Sequence, residues 1–329
     1  MIPVIAAALV GAGATAPLLA SPYRWSLSPP LVAPAERPGD PCVSVKDPTV
    51  VFHDGKWHLF CTIRSKKRTH QIEYLSFADW PKANEAKRHV LTLSEGYFCA
   101  PQVFYFTPHK KWYLIYQVGD PTRKPQLQPA FSTSTDIGDP ASWSKPKLLF
   151  DRDPEGVKSW IDFWVICDAT HARLFFTSND GRMWRSDTTL ADFPHGWGKP
   201  AVVLRGDIFE ASHTYKVKGA DKYVTIVEAQ AGDRRYYKAY TADRLDGEWK
   251  PLADTRANPF AGRDTITAKD GKRWTDSVSH GELLRAGVDE KLEVDAKRVR
   301  FLFQGVSDAD RKGKRYGDIP WRLGLLELR

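Results

Sequence analysis

A pair of short apolar runs returns five times along this chain. The second runs of the pairs are WHLFC (57–61), KWYLIY (111–116), RLFFT (173–177), KYVTIV (222–227) and RVRFLF (298–303). Each follows another run of the same kind, and clusters such as His53-Asp54-Gly55 stand between them. Apolar and aromatic runs of this length, bounded by turn residues, read as strands joined in hairpins. No long stretch keeps a helical period. A hairpin returning at intervals of roughly 50 to 75 residues predicts radial repetition, that is, an all-β chain folded as a five-bladed β-propeller. The competing architecture for such a pattern is a β-sandwich followed by a second β domain.

In a propeller the innermost strand of each blade begins at the central channel, and a polar residue at its head points into the axial cleft. The polar residues at the heads of the first runs are Asp47, Gln102, Asp162, Glu210 and His280. Read as equivalent places, they send three carboxyl groups, an amide and an imidazole into one funnel. Two carboxyl groups across a cleft can hydrolyse a glycosidic bond: one protonates the leaving oxygen and the other activates water. When about 6.5–9.5 Å separates them, water fits between base and sugar and the anomeric centre inverts. A third carboxylate nearby raises the acid's pKa by like-charge repulsion and orients it. The same Asp, Asp, Glu and His would also suit a divalent cation, although no close ligand pair marks a metal motif.

Composition narrows the partners. Twelve Trp and twelve Tyr suit a large core and equally a sugar cleft, where flat rings cover apolar sugar faces. The formal net charge of +8 is scattered, with only short basic clusters at 66–68 and 311–315, so nucleic acid is not expected as a partner. Residues 1–21 are apolar and rich in small residues, as in the core and cleavage zone of a secretory leader, but lack a basic head. Residues 22–41, rich in Pro, are expected as a tether, and 42–329 as the single propeller domain. No later segment is apolar enough to span a membrane. The expected location is therefore secreted, periplasmic or cell-surface. Of the four cysteines, Cys61, Cys99 and Cys167 lie in strand-like runs, where a buried free thiol is the usual state. Cys42 stands at the head of the domain, and the spacing of the four fits no zinc motif.

Several segments carry a family resemblance: KDPTVVFHDGKWH, APQVFYFTPHKKWYLIYQ, WIDFWVICD, FEASHTYKV, SHGELLRAGVDEKLEV and YGDIPWRLGLLEL. From about Lys46 to the C terminus the chain resembles glycoside hydrolase family 62, the arabinofuranosidases acting on arabinoxylan, and more distantly family 43. The resemblance implies a five-bladed propeller and an inverting α-L-arabinofuranosidase. It implies Asp47 as general base, Glu210 as general acid and Asp162 as the residue that tunes and orients the acid. Lys46, Arg235 and Gln102 are implied as substrate-binding residues, and Tyr316 as an aromatic at the xylan cleft or in the core. His280 is implied beside one structural calcium ion on the axis; no organic cofactor is expected, and a monomer is. Some members pair a cysteine ahead of the first blade with one late in the last. Cys42 matches the first, and LEVDAKRVRFLF offers no partner. Two other readings fit the same residues: a propeller that binds sugar without cutting it, and a propeller glycosidase of another pentose specificity.

Overall fold

The computed structural model describes residues 16–268 and 271–329. Five sheets of four or five strands stand around an axis as the blades of a β-propeller. Their inner strands are Cys42–His53, Phe98–Phe106, Ile161–Cys167, Glu210–Val217 and Ser277–Leu283. Each inner strand packs against the next, and that of blade 5 packs against that of blade 1, closing the ring. Within each blade the inner strand pairs antiparallel with the second, in the pairs the sequence predicts: Lys56–Ser65, Lys111–Gly119, His171–Thr177, Tyr223–Ala231 and Arg300–Val306 are the second strands.

The core lies between blades. Trp164 of blade 3 is buried against blade 4, its indole 4.1 Å from the His213 ring and its Nε1–H donating to Thr214 O at 2.9 Å. Tyr23, Trp25, Phe260 and Phe301 make a second aromatic cluster between blade 5 and blade 4, where Phe260 N–H donates to Tyr237 O at 2.8 Å. Burying rings of this size contributes a few kcal/mol each, on the order of 2–3 kcal/mol by area.

The expected tether is not one. Trp25–Leu27 is a strand of blade 5, pairing antiparallel with Arg322–Leu328 and parallel with Ile266–Ala268. The chain then crosses to blade 1. Leu31 and Val32 bond to Leu323, and Arg37 reaches the fully buried Glu73, which Arg88 also pairs at 3.2 Å. The reason is visible in Trp25-Ser26-Leu27: apolar, polar, apolar, a half-buried strand too short to stand out among prolines. Of the expected leader, residues 1–15 lie outside the described residues. Pro17–Leu19 is a 3-10 turn with Leu18 buried against Ala296. All four cysteines are free. Among the described residues no helix is long and apolar enough to cross a membrane.

Candidate active site

All five inner strands break their pairing at one level. In blade 1 the ladder runs to Lys46 opposite Thr62 and resumes at Thr49 opposite Phe60. Blades 2, 3 and 4 break between Cys99 and Gln102, Ile161 and Trp164, and Glu210 and His213; blade 5 skips His280 alone. The first skipped residues of blades 1–4 have positive φ: Asp47 (47°), Ala100 (51°), Asp162 (58°) and Ala211 (49°). Such backbone outside glycine costs about 1–3 kcal/mol and persists only where the surroundings over-determine it.

Here the surroundings are a ring of side-chain acceptors. Thr62 Oγ1 accepts from Ala100 N–H at 2.8 Å, and Gln117 Oε1 from Asp162 N–H at 3.3 Å. Glu228 Oε2 accepts from His280 N–H at 2.8 Å, and Gln304 Oε1 from Asp47 N–H at 2.8 Å. Each acceptor stands opposite the last paired residue of its own inner strand and caps the bulge of the next blade. Thr177 holds that place in blade 3, but there the rule fails. Ala211 N–H donates instead to Asp162 Oδ2 at 3.0 Å, and Thr177 Oγ1 is buried with no protein partner. The exception fixes the Asp162 carboxyl one residue from Glu210.

The bulges aim side chains at the axis. His280 Nδ1 lies 3.4 Å from Asp47 Oδ1 and 3.5 Å from Asp162 Oδ2. Glu210 enters from blade 4, where Arg235 Nη1 stands 3.9 Å from its Oε2 and Asn179 Nδ2 donates to its Oε1 at 3.2 Å. The Arg235 guanidinium carbon lies over the Phe209 ring, 3.8 Å from its centroid. Lys46 Nζ is 5.0 Å from the Tyr316 ring. Tyr316 is 48% exposed and, with Arg235, Arg311 and Trp321, lines an adjoining cavity of about 570 Å³, so it lies outside the core.

The electrostatics separate the carboxyl groups. Burial works to raise Asp47, but the charges of Lys46 and His280 and the Thr62 hydroxyl outweigh it and hold the carboxyl below its usual range. Burial, then the Asp47 charge, push Asp162 well above that range. Burial, then Asp162 and Glu228, push Glu210 up to about 8. Burial disfavours the Lys46 charge, yet Tyr316, Asp47 and Glu210 keep it above the ordinary lysine value. One carboxyl group is thus kept ionised and another protonated near neutral pH, which is the pairing that acid–base hydrolysis needs.

Two expectations change. The five polar residues are not equivalent: Asp47, Asp162 and His280 sit on bulges, whereas Glu210 shares the place of Lys46, one residue earlier. Gln102 is not on the pocket rim. It lies two residues beyond the bulge residue Ala100, is fully buried, and clamps blade 2 to blade 3 through Val165, with Nε2 donating to O and Oε1 accepting from N–H, both at 2.7 Å. Asn179 and Glu228 are additions. Asn179 stands in the turn sequence SNDG, which carries no sign of a site, whereas Glu228, an acid inside the run VTIVEAQA, carries a signal in being charged there.

The calcium ion expected on the axis would need oxygens beyond the acidic side chains beside His280. A hard cation takes six to eight oxygen ligands, whereas among the described residues no group of three or more His, Cys, Asp or Glu is placed to hold a metal ion. His280 offers a nitrogen, and the oxygens nearest it belong to the two aspartates just described. No step below is routed through an ion.

A family model, glycosyl hydrolase family 62, matches residues 24–327. The chain belongs to glycosyl hydrolase family 62. Its family 62 likeness extends to whole structures. The catalytic domain of the Coprinopsis cinerea family 62 α-L-arabinofuranosidase superposes with TM-score 0.88 at 36% identity, covering 94% of this chain and 98% of that one. The Podospora anserina α-L-arabinofuranosidase solved with cellotriose gives 0.87 at 36%, covering 95% and 98%. The α-L-arabinofuranosidase C of Cellvibrio japonicus is 41% identical over 318 residues, 94% of this chain. This family 62 chain spans about half that relative's length, 48%. A thermostable family 43 glycoside hydrolase, 15% identical with TM-score 0.58, shares the fold.

Proposed function

We propose that the chain is an inverting α-L-arabinofuranosidase that removes terminal arabinofuranosyl groups from arabinoxylan or a related polymer. The observation that carries the proposal is the meeting of Asp47, Asp162 and Glu210 from three blades around His280, with the first carboxyl held ionised and the last protonated. Family membership supports it, as do relatives named α-L-arabinofuranosidases and one family 62 hydrolase solved with xylotriose at 36% identity. A propeller that only binds sugar has no need of two carboxyl groups in opposite states.

In the proposed reaction Asp47 takes a proton from water as the water attacks the anomeric carbon. Glu210 gives its proton to the departing xylan oxygen in the same step. Asp162, locked on Ala211 N–H, adds the like charge that keeps Glu210 protonated and holds the turn from which Glu210 projects. Lys46 and Arg235 are donors for the sugar hydroxyls, and Tyr316 is a flat face for the polymer in the adjoining cavity. A substrate that is a cell-wall polymer supports action outside the cytoplasm, and the protein is proposed to act as a monomer.

Proton NMR of wheat arabinoxylan during digestion tests the reading. The expected first product is free β-arabinofuranose, inverted from the α-linked side group. No arabinose between pH 4 and 8, or an α product, would overturn it. The family resemblance also supports an axial calcium ion beside His280, held through water. Chelation is expected to lower the melting temperature and added calcium to restore it; superimposable melting curves would remove the ion.

A further inference from the structure

Glu228 lies under the site and touches none of the reacting atoms in the scheme above. Its side chain is fully buried, an uncommon place for a carboxylate unless every oxygen is bonded. Both oxygens are. Oε1 accepts from Ser279 Oγ at 2.9 Å and lies 3.4 Å from Arg235 Nη1; Oε2 accepts from His280 N–H at 2.8 Å. It is also the residue directly opposite Glu210 in the blade 4 ladder. Opposed residues on paired strands carry their side chains to the same face, where two like charges are unfavourable. One guanidinium nitrogen of Arg235, Nη1, lies near both, 3.4 Å from the Glu228 carboxylate and 3.9 Å from that of Glu210.

We propose that Glu228 is a positioning residue for the acid step: it anchors Arg235 beside Glu210 and places a like-charged neighbour across the strand pair from the acid. The inference rests on the reading of Glu210 as general acid. The other acceptors in the same ring, Thr62, Gln117 and Gln304, cap bulges with neutral groups. A glutamine would cap His280 N–H equally well, so capping does not explain a charge at this position. The charge is explained by what faces it: Arg235 on its own blade, Asp162 of blade 3 and Tyr237, whose hydroxyl it pushes upward after burial has done so. Glu210 in turn faces Asp162 and Asn179 of blade 3, Lys46 of blade 1, His280 of blade 5, Tyr316, and Glu228 and Arg235 of its own blade. Glu228 and Asp162 are the two like charges in that set that push the acid up after burial, and Arg235 and His280 oppose them.

The test compares Glu228→Gln, Glu228→Asp and Glu210→Gln with the unaltered protein on arabinoxylan and on an aryl arabinofuranoside with a good leaving group. In Glu228→Gln, kcat on arabinoxylan is expected to fall by about 10-fold, less than the roughly 100-fold or more that goes with a general acid itself. The loss is smaller on the aryl glycoside, which needs less protonation. Removing the like charge makes Glu210 lose its proton more readily, so the alkaline limb of kcat/KM moves down by about one pH unit. Glu228→Asp retains the charge and shortens the reach, so the alkaline limb stays in place while KM rises as Arg235 loses its anchor. A residue that merely supports the fold would lower the melting temperature and leave the alkaline limb where it was. That outcome, or full activity in Glu228→Gln, overturns the proposal. If Glu228→Gln does not fold, Glu228→Asp still decides: an unchanged KM counts against it. Near-normal turnover by Glu210→Gln sinks the acid assignment itself, a result distinct from an unaltered limb in the Glu228 variants.

Discussion

The side chains that matter most here are ones whose protonation state the fold sets. Glu210 is an acid only while it keeps its proton, and burial followed by Asp162 and Glu228 lets it do so up to about pH 8. Asp47 is a base only while ionised, and Lys46 and His280 maintain that state below the usual carboxylate range. Activity therefore needs a pH above the Asp47 value and below the Glu210 value. The kcat/KM profile is expected to stay high through mildly acid pH and to fall above about pH 8, where Glu210 loses its proton; an alkaline limb near pH 5 would contradict the assignment. The same shift acts on stability. A carboxyl group whose folded value is raised favours the folded state below its unfolded value. That advantage is lost as pH rises toward the folded value. Glu210→Gln abolishes the proton donor and is expected to cost about 100-fold to 10,000-fold in turnover. It is also expected to melt at a higher temperature than the unaltered protein at pH 8, with the difference vanishing near pH 4. Melting curves that differ equally at both pH values would show that the charge is not the cause.

At the level of the strand, the bulge is the working part. It turns Asp47, Asp162 and His280 out of the ladder and toward the axis, and the N–H of these residues, the first two of them left-handed, is capped from the neighbouring blade. Ala211 shows how little space this leaves: it is fully buried at φ 49° and bonded to Asp162. Ala211→Val puts a β-branched side chain where L-residues are strained and no room exists, and is expected to cost at least about 2 kcal/mol in urea unfolding. Turnover should fall with it, because the Asp162 contact moves. A variant as stable as the parent would mean that the bulge is not held as described. The strands themselves were legible, since apolar runs broken by turn clusters leave few alternatives. So were Asp47, Asp162 and Glu210, as charged residues at the heads of buried strands. Their register was not. A skipped residue alters no local composition, so Glu210 looked equivalent to Asp162 although it sits one place earlier, and Gln102 looked like a pocket residue although it is an interblade clamp. The acceptors opposite each bulge belong to runs that read as ordinary core strands, and among Thr62, Gln117, Gln304 and Glu228 only the last carries a charged group.

For the molecule as a ring, the decisive contact is the seam between blade 5 and blade 1. Trp25–Leu27 completes blade 5, and the segment after it crosses to Glu73 in blade 1. Trp25 is fully buried, edge-on to Phe260, with Nε1 donating to Phe260 O at 2.6 Å. Trp25→Ala is expected to destabilise by about 3–5 kcal/mol in denaturant titration. Activity at low temperature should persist, since every candidate catalytic side chain lies on another strand. A loss below about 1 kcal/mol would mean that the ring does not depend on this strand. The pairing of Trp25 with Leu328 also sets an order of events during synthesis. The strand that emerges early must wait for its antiparallel partner until residues 322–328 have been made, so blade 5 cannot close while the ribosome still holds that segment. A nascent chain stalled before that segment leaves the exit tunnel should be digested around Trp25 by protease, and should become resistant there only once residues 322–328 have emerged.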